Sequence, residues 1–251
     1  MKDARIALVT GSSRGIGAAI AQRLGADGMF VIVHYNGNRE AADATLAKVQ
    51  AAGGDGTVLQ GDLSDPQAPG VLAQSVHDLT RDRFGSPRLD VLVNNAGLGV
   101  RCTIEETTDA MLDETLEVDF KAPFKLIRSL GAIIPEGGRI INISSMGTRV
   151  AYPDMAAYAP AKAALEALGV LLAAHFGPRG ITVNSVLPGA TVTDLSGPMR
   201  NPEWIEKTSA TIAMRRLGQP DDIAEVVAFL AGTQSGWITA QKIDASGGQR
   251  I

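Results

Sequence analysis

Short, unbroken apolar runs alternate with Ala-rich amphipathic stretches along nearly the whole chain, and this alternation constrains the fold more than any other feature. Arg5 to Thr10, Met29 to Tyr35, Thr57 to Gln60, Leu89 to Asn94, Arg139 to Ser144, Ile181 to Leu187 and Lys242 to Asp244 read as strands. Runs such as IALV, VIV, VLV and IINI lack an exposed polar alternate, the pattern of strands covered on both faces, so the sheet is predicted to be parallel. Helices are expected over Gly15 to Asp27, Arg39 to Ala52, Pro66 to Phe84, Asp109 to Gly131, Met155 to Phe176 and Asp221 to Gly232. Right-handed crossovers would wind these units into an α/β, Rossmann-type doubly wound sheet of about seven strands with helices on both faces. With 45% hydrophobic but only 4% aromatic residues, the core must be built from Ala, Val, Leu and Ile, which suits layered helices on a sheet.

Gly and Pro punctuate the joints, at Gly28, Gly53-Gly54, Gly137-Gly138, Gly180, Pro188-Gly189 and Pro220. No linker divides the 251 residues, so a single domain over 1–251 is expected. The rhythm fails over residues 189–216, where the first half has no clear period, and a long irregular stretch after a strand's carboxyl end reads as a substrate loop or lid.

A net charge of -4 with singly scattered Lys and Arg offers no stripe to neutralise a row of phosphates, so a nucleic-acid partner is not expected. Cys102 is alone and reads as a small, partly buried thiol. The run Ile6 to Val9 is too short for a secretion signal, and no stretch reads as reaching the ~20 residues that span a bilayer, so a cytoplasmic protein without a membrane partner is expected. His34, His77 and His175 are too dispersed for a metal centre, and no metal is predicted.

Thr10-Gly11-Ser12-Ser13-Arg14-Gly15-Ile16-Gly17 follows the first strand and opens the first helix. Glycines there allow a tight turn and a close backbone approach to a pyrophosphate, which the helix N-terminus attracts. TGSSRGIG, Asn94-Asn95-Ala96-Gly97, Ser144-Ser145, Tyr158 with Lys162, and Pro188-Gly189 together resemble the short-chain dehydrogenase/reductase family, in its branch of about this length, from Arg5 to Gly248. The resemblance implies a nicotinamide dinucleotide held by Gly11, Ser13, Arg14, Gly15, Ile16 and Gly17. It further implies adenine contacts from Asp62 and Leu63, and contacts from Asn95, Ala96, Gly97, Tyr158 and Lys162. Pro188, Gly189 and Thr191, with Thr193 as runner-up, would meet the carboxamide. Asp62 or Ser64 could instead cap the following helix, and Asn95 could tie adjacent strands together.

A Rossmann site selective for NAD(H) usually carries an Asp or Glu at the end of its second strand. Here the sequence is His34-Tyr35-Asn36, with no carboxylate before Glu40, and Arg14 lies in the glycine loop. NADP(H) is therefore predicted over NAD(H), with Arg14 and either Asn36 or Arg39 near the 2'-phosphate; the alternative for Arg14 is a solvated surface residue.

A free phenol titrates at about 10, and Lys162, one helical turn after Tyr158, would lower that value by favouring phenolate. Ser145 would donate a hydrogen bond to a substrate carbonyl; Ser144 competes for the role, and the family's spacing to Tyr158 selects Ser145. Asp119 stands where the family usually has an Asn that holds a relay water, and its extra negative charge would favour the lysine ammonium while opposing phenolate. Pro160 before Lys162 suits only a first helical turn, placing the helix start near Tyr158.

These residues imply a carbonyl reductase, or the same enzyme run backwards as an alcohol dehydrogenase, acting on a small-molecule ketone or secondary alcohol. The alternatives are a 3-oxoacyl-acyl-carrier-protein reductase, disfavoured by an acidic stretch at Ile134 to Gly138, a non-catalytic dinucleotide sensor, and an epimerase. A homotetramer is the family's usual assembly.

Overall fold

All the described strands join one parallel sheet. The computed structural model describes residues 4–193 and 201–250. Seven strands, β1 (Ile6–Val9), β2 (Phe30–Tyr35), β3 (Asp55–Gln60), β4 (Val91–Asn94), β5 (Arg139–Ile143), β6 (Thr182–Pro188) and β7 (Lys242–Ala245), lie in the order β3-β2-β1-β4-β5-β6-β7. Successive side chains point to opposite faces, and in β1, β2, β4, β5 and β6 both faces are buried. Val9, Val31, Val33, Val93 and Ile141 pack into one core layer, while Leu8, Phe30, Ile32, Leu92 and Ile140 pack into the other. This two-sided burial is why the strands read as continuous apolar runs.

The helices α1 (Gly15–Ala26), α2 (Arg39–Ala51), α3 (Ala68–Phe84), α4 (Asp109–Leu116), α5 (Ala122–Leu130), α6 (Tyr158–Phe176), α7 (Pro202–Ala210) and α8 (Pro220–Ala231) complete the layers. α1 packs between α2 and α8, and α3, α5 and α6 cover the opposite face. The chain reverses its direction of travel across the sheet between β1 and β4, and the crevice at their carboxyl ends is the topological switch point at which ligands bind in such sheets.

Four differences from the sequence expectation have local causes. The helix expected over Asp109 to Gly131 is α4 and α5 joined by a π-helical turn at Glu117–Lys121, an interruption that hydrophobic periodicity does not reveal. Within the stretch read as irregular, α7 forms because Asn201 accepts a bond from the Glu203 N–H at 3.0 Å and Pro202 occupies the first turn. Part of the expected lid, residues 194–200, lies outside the described residues. Asp62 and Ser64 do not cap α3: Asp62 closes its own turn by accepting from the Ser64 N–H and hydroxyl, and α3 begins later, at Ala68.

The fourth concerns the membrane criterion. Residues Tyr158–Arg179 form a helical stretch of 22 residues with mean hydropathy 1.2, long and apolar enough to span a bilayer by length and composition. One face packs on β6 and buries Lys162 and Glu166, while Val170 and Leu171 on another face stay exposed.

Candidate active site

The glycine loop is held in place before any ligand enters. Ser12 donates its hydroxyl to the Val9 carbonyl at 2.7 Å, and the Thr45 hydroxyl of α2 donates to the Ser13 carbonyl at 3.1 Å. Gly11 has φ +62, and a Cβ there would stand 2.9 Å from the Ala96 Cα; one on Gly17 would stand 2.5 Å from the Asn95 amide nitrogen. Only glycine lets the loop pack this closely against the segment after β4. Asn95 completes that contact by donating its side-chain amide to the Thr10 and Gly11 carbonyls at 2.8 and 3.1 Å, so it ties the loop to β4.

His34, at the end of β2, is fully buried and bridges the same region. Its Nδ1 accepts the Gly11 N–H at 3.0 Å, which leaves Nε2 to donate to the Gly61 carbonyl at 3.0 Å. That pairing requires a neutral ring, and burial lowers the imidazole pKa to about 4, against a smaller opposing effect of the Gly61 carbonyl. No motif in the sequence marks His34 for this bridging role.

The residues present fit a dinucleotide. α1 starts with no side-chain cap and no acidic residue in its first turn, while α2 and α4 are capped by Asn38 and Thr108. An uncapped N-terminus behind a cramped glycine turn is suited to a pyrophosphate. Ile16 packs partly against the core, and Thr193 comes within 3.5 Å of where a Gly15 Cβ would lie. Arg14 is exposed at the mouth of the loop, and Asn36 is exposed at the end of β2, bonded to Asp62. Arg39 is turned along α2 into an ion pair with Asp43 at 2.8 Å. Leu63 is buried in the core beside the exposed Asp62. Pro188 ends β6; Gly189 abuts Ser246, where a Cβ would come within 2.7 Å of the Ser246 Cβ; and Thr191 donates to the Gly189 carbonyl at 3.0 Å.

Across the crevice, Ser145 follows β5, and Tyr158 and Lys162 rise from the first turns of α6, which begins at Tyr158 with Pro160 in its first turn. The Ser145 hydroxyl faces the Tyr158 phenol and favours its ionised form. Ser144 points elsewhere: it donates to Glu166 Oε1 at 2.6 Å.

Lys162 Nζ donates to the Ile143 carbonyl at 3.0 Å and lies 2.9 Å from Asp119 Oδ1, with both side chains nearly or wholly inaccessible to solvent. Asp119 Oδ2 accepts the Leu98 N–H at 3.1 Å. Gly97 faces this pair so closely that a Cβ would stand 2.5 Å from Asp119 Oδ1 and 3.0 Å from Lys162 Nζ.

The electrostatics amend the sequence expectation for Tyr158. Burial is the largest influence and pushes the phenol above its ordinary value; Lys162 pulls it down, but the Asp119 carboxylate pushes it up again. Burial opposes the Lys162 ammonium too, yet Asp119 and Tyr158 outweigh it and hold the lysine above its usual range. Burial raises Asp119, and Lys162 opposes that rise. The site therefore holds a protonated phenol beside a fixed ammonium, an arrangement suited to giving a proton to an oxygen that develops negative charge.

The acidic stretch from Ile134 to Gly138 enters the amino end of β5, the opposite edge of the sheet from Ser145, so its charge does not bear on what the crevice accepts.

Residues 11–250 match the family model described as enoyl-(acyl carrier protein) reductase. An uncharacterized oxidoreductase of Methylorubrum extorquens is 41% identical, over 99% of this chain and 98% of that protein. The 3-oxoacyl-[acyl-carrier-protein] reductase FabG of Staphylococcus aureus is 36% identical over 99% of both. The crystal structure of the angucycline C-6 ketoreductase LanV with bound NADP superposes with a TM-score of 0.94 at 42% identity, covering 98% of this chain and 95% of that one. LugOII, a promiscuous reductase that catalyses keto-reduction at C1 during lugdunomycin biosynthesis, gives the same TM-score at 43% identity, covering 98% of both chains.

Proposed function

The chain belongs to the short-chain dehydrogenase/reductase family, and from that premise we propose that it is an NADPH-dependent ketoreductase acting on a small-molecule ketone, reversible as an alcohol dehydrogenase. The observation that carries this reading is the meeting of Ser145, Tyr158 and Lys162 across the crevice from the glycine loop. Relatives that bind NADP and reduce ketones support it.

NADPH, when bound, would supply the hydride that the carbonyl carbon accepts. Ser145 holds the substrate carbonyl by hydrogen bond, fixing the carbon it belongs to, and Tyr158 passes its proton to the carbonyl oxygen. Lys162 stabilises the phenolate left behind, and it is itself kept charged by Asp119. In this reading Asp119, next to the ammonium, takes the relay position beyond Lys162. Gly11, Ser13, Arg14, Gly15, Ile16 and Gly17 hold the pyrophosphate and 2'-phosphate end. Asn36 would lie near the 2'-phosphate, Asp62 and Leu63 at the adenine, Asn95, Ala96 and Gly97 along the cofactor, and Pro188, Gly189, Thr191 and Thr193 at the carboxamide. Arg14, exposed and with no carboxylate at the end of β2, supports NADPH over NADH.

The chain forms one domain in this reading, with residues 189–216 as its substrate lid. It works in the cytoplasm as a homotetramer. Exposed Phe124, Val170 and Leu171 on α5 and α6, and Phe229 and the 99% exposed Trp237 near the other edge, support such an assembly. A spectrophotometric screen of ketones and alcohols with both nicotinamides tests the activity, with acetoacetyl-carrier protein as one arm. Turnover only on the carrier-linked substrate would move the reading to a 3-oxoacyl-acyl-carrier-protein reductase. Cofactor binding with no turnover would replace it by a sensor.

A further inference from the structure

Glu166 is buried on α6, 3% exposed, and has no part in the proton chemistry above. Tyr158, Lys162 and Glu166 recur at every fourth position, so one helix face carries all three. Glu166 Oε1 accepts the Ser144 hydroxyl at 2.6 Å and the Thr148 hydroxyl at 2.7 Å, while Oε2 meets Lys242 Nζ of β7 at 3.1 Å. Ser144 and Thr148 bracket Ser145. Within that turn the Ser145 Oγ accepts the Gly147 N–H at 3.1 Å, and the Thr148 hydroxyl also reaches the Ser145 carbonyl at 2.9 Å.

We propose that Glu166 is the positioning residue that sets Ser145 against Tyr158, by clamping both flanks of the serine turn to the helix face that carries the tyrosine. A carboxylate accepts and cannot donate, so the Ser144 hydroxyl must aim its proton at it, while the Thr148 hydroxyl shares its one proton between Glu166 and the Ser145 carbonyl. Their direction, and hence the rotation of the turn between them, is fixed. Ser144 is thereby withdrawn from the reacting oxygen and Ser145 is presented to it. Lys242 sets a positive charge 3.1 Å from the other carboxylate oxygen.

The kinetic part of this inference rests on the ketoreductase reading; its geometric part does not. The test compares Glu166→Ala and Glu166→Gln with wild type by steady-state kinetics, NADPH titration and crystal structures with NADP+. In E166A the kcat for the ketone is expected to fall on the order of ten- to a hundredfold, the scale of misplacing a reacting group by about 1 Å. Its NADPH Kd should stay within about twofold of wild type, and Ser145 Oγ should shift away from the Tyr158 hydroxyl. E166Q keeps an acceptor oxygen and should recover most of the rate. An E166A enzyme with wild-type kcat, or one in which Ser145 has not moved, overturns the proposal. So does an E166Q enzyme as slow as E166A with Ser145 in place. If E166A does not fold, the double variant Ser144→Ala/Thr148→Val removes both donors and must show the same loss of kcat; a wild-type rate there overturns the proposal as well. If wild type reduces no ketone, the functional reading fails, and the position of Ser145 in the variants still decides this one.

Discussion

The Lys162 ammonium and the Asp119 carboxylate face each other at 2.9 Å with almost no access to water, and Gly97 presses against both. Because Asp119 raises the Tyr158 pKa, Asp119→Asn should lower it. Tyr158 acts as an acid in reduction, so the alkaline fall of kcat should move to lower pH in D119N, with activity at neutral pH retained within about tenfold, a modest share of a general acid's contribution. Asp119→Ala leaves a buried ammonium without its partner and should cost about 3–5 kcal/mol of stability. The pH–rate profile and urea melts check both.

Tyr158→Phe removes the transferable proton and keeps the ring. Its kcat should fall by at least about a hundredfold, the lower end of what general acid catalysis contributes, while NADPH titration gives a Kd close to wild type. An unchanged kcat would remove Tyr158 from the mechanism.

Arg14→Ala should reduce kcat/KM with NADPH by roughly tenfold or more, the value of one charge-assisted phosphate contact, and leave the NADH value nearly unaltered. Equal losses with both cofactors would mean that Arg14 acts on the loop and not on a phosphate.

His34 makes stability depend on pH in a stated direction. Its folded-state pKa of about 4 lies below the ordinary 6.5 because burial disfavours the charged ring. The unfolded chain therefore binds the proton first as pH falls. The contribution is complete above about 6.5 and is lost progressively towards 4, a difference of about 3 kcal/mol. His34→Gln, melted in urea at a series of pH values, should flatten that part of the profile and leave the part due to carboxylates.

Gly97→Ala places a methyl group against Asp119 and Lys162. The expected outcome is a fall in kcat with a smaller change in melting temperature, because the pair that must yield belongs to the proton path and not to the apolar core. A crystal structure would show the two charged groups drawn apart.

The inner strands were legible because they are buried on both faces and read as unbroken apolar runs, and all seven strand segments lie within a few residues of expectation. The glycine loop and the Ser145, Tyr158 and Lys162 group were legible through spacing along the chain. What the sequence did not disclose acts across space. His34 reaches Gly11 and Gly61, and Glu166 reaches Ser144, Thr148 and Lys242, in each case by folding of distant segments. Tyr158's raised pKa belongs to the same class, since desolvation depends on neighbours that no local pattern names. Asn201-Pro202-Glu203, by contrast, did carry a readable helix start, hidden by the polar composition around it.

The widened turn at Glu117–Lys121 amounts to a surplus residue in an otherwise continuous rod. Were its five residues forced into regular α-helix with none removed, everything on one side would swing by roughly 100° relative to the other. Asp119 would leave its lysine while the apolar stripe of α5 stayed seated on α3. The bulge thus works as a phase shifter: it lets one rod satisfy two orientations, one dictated by packing and the other by chemistry, that a uniform helix could not serve together.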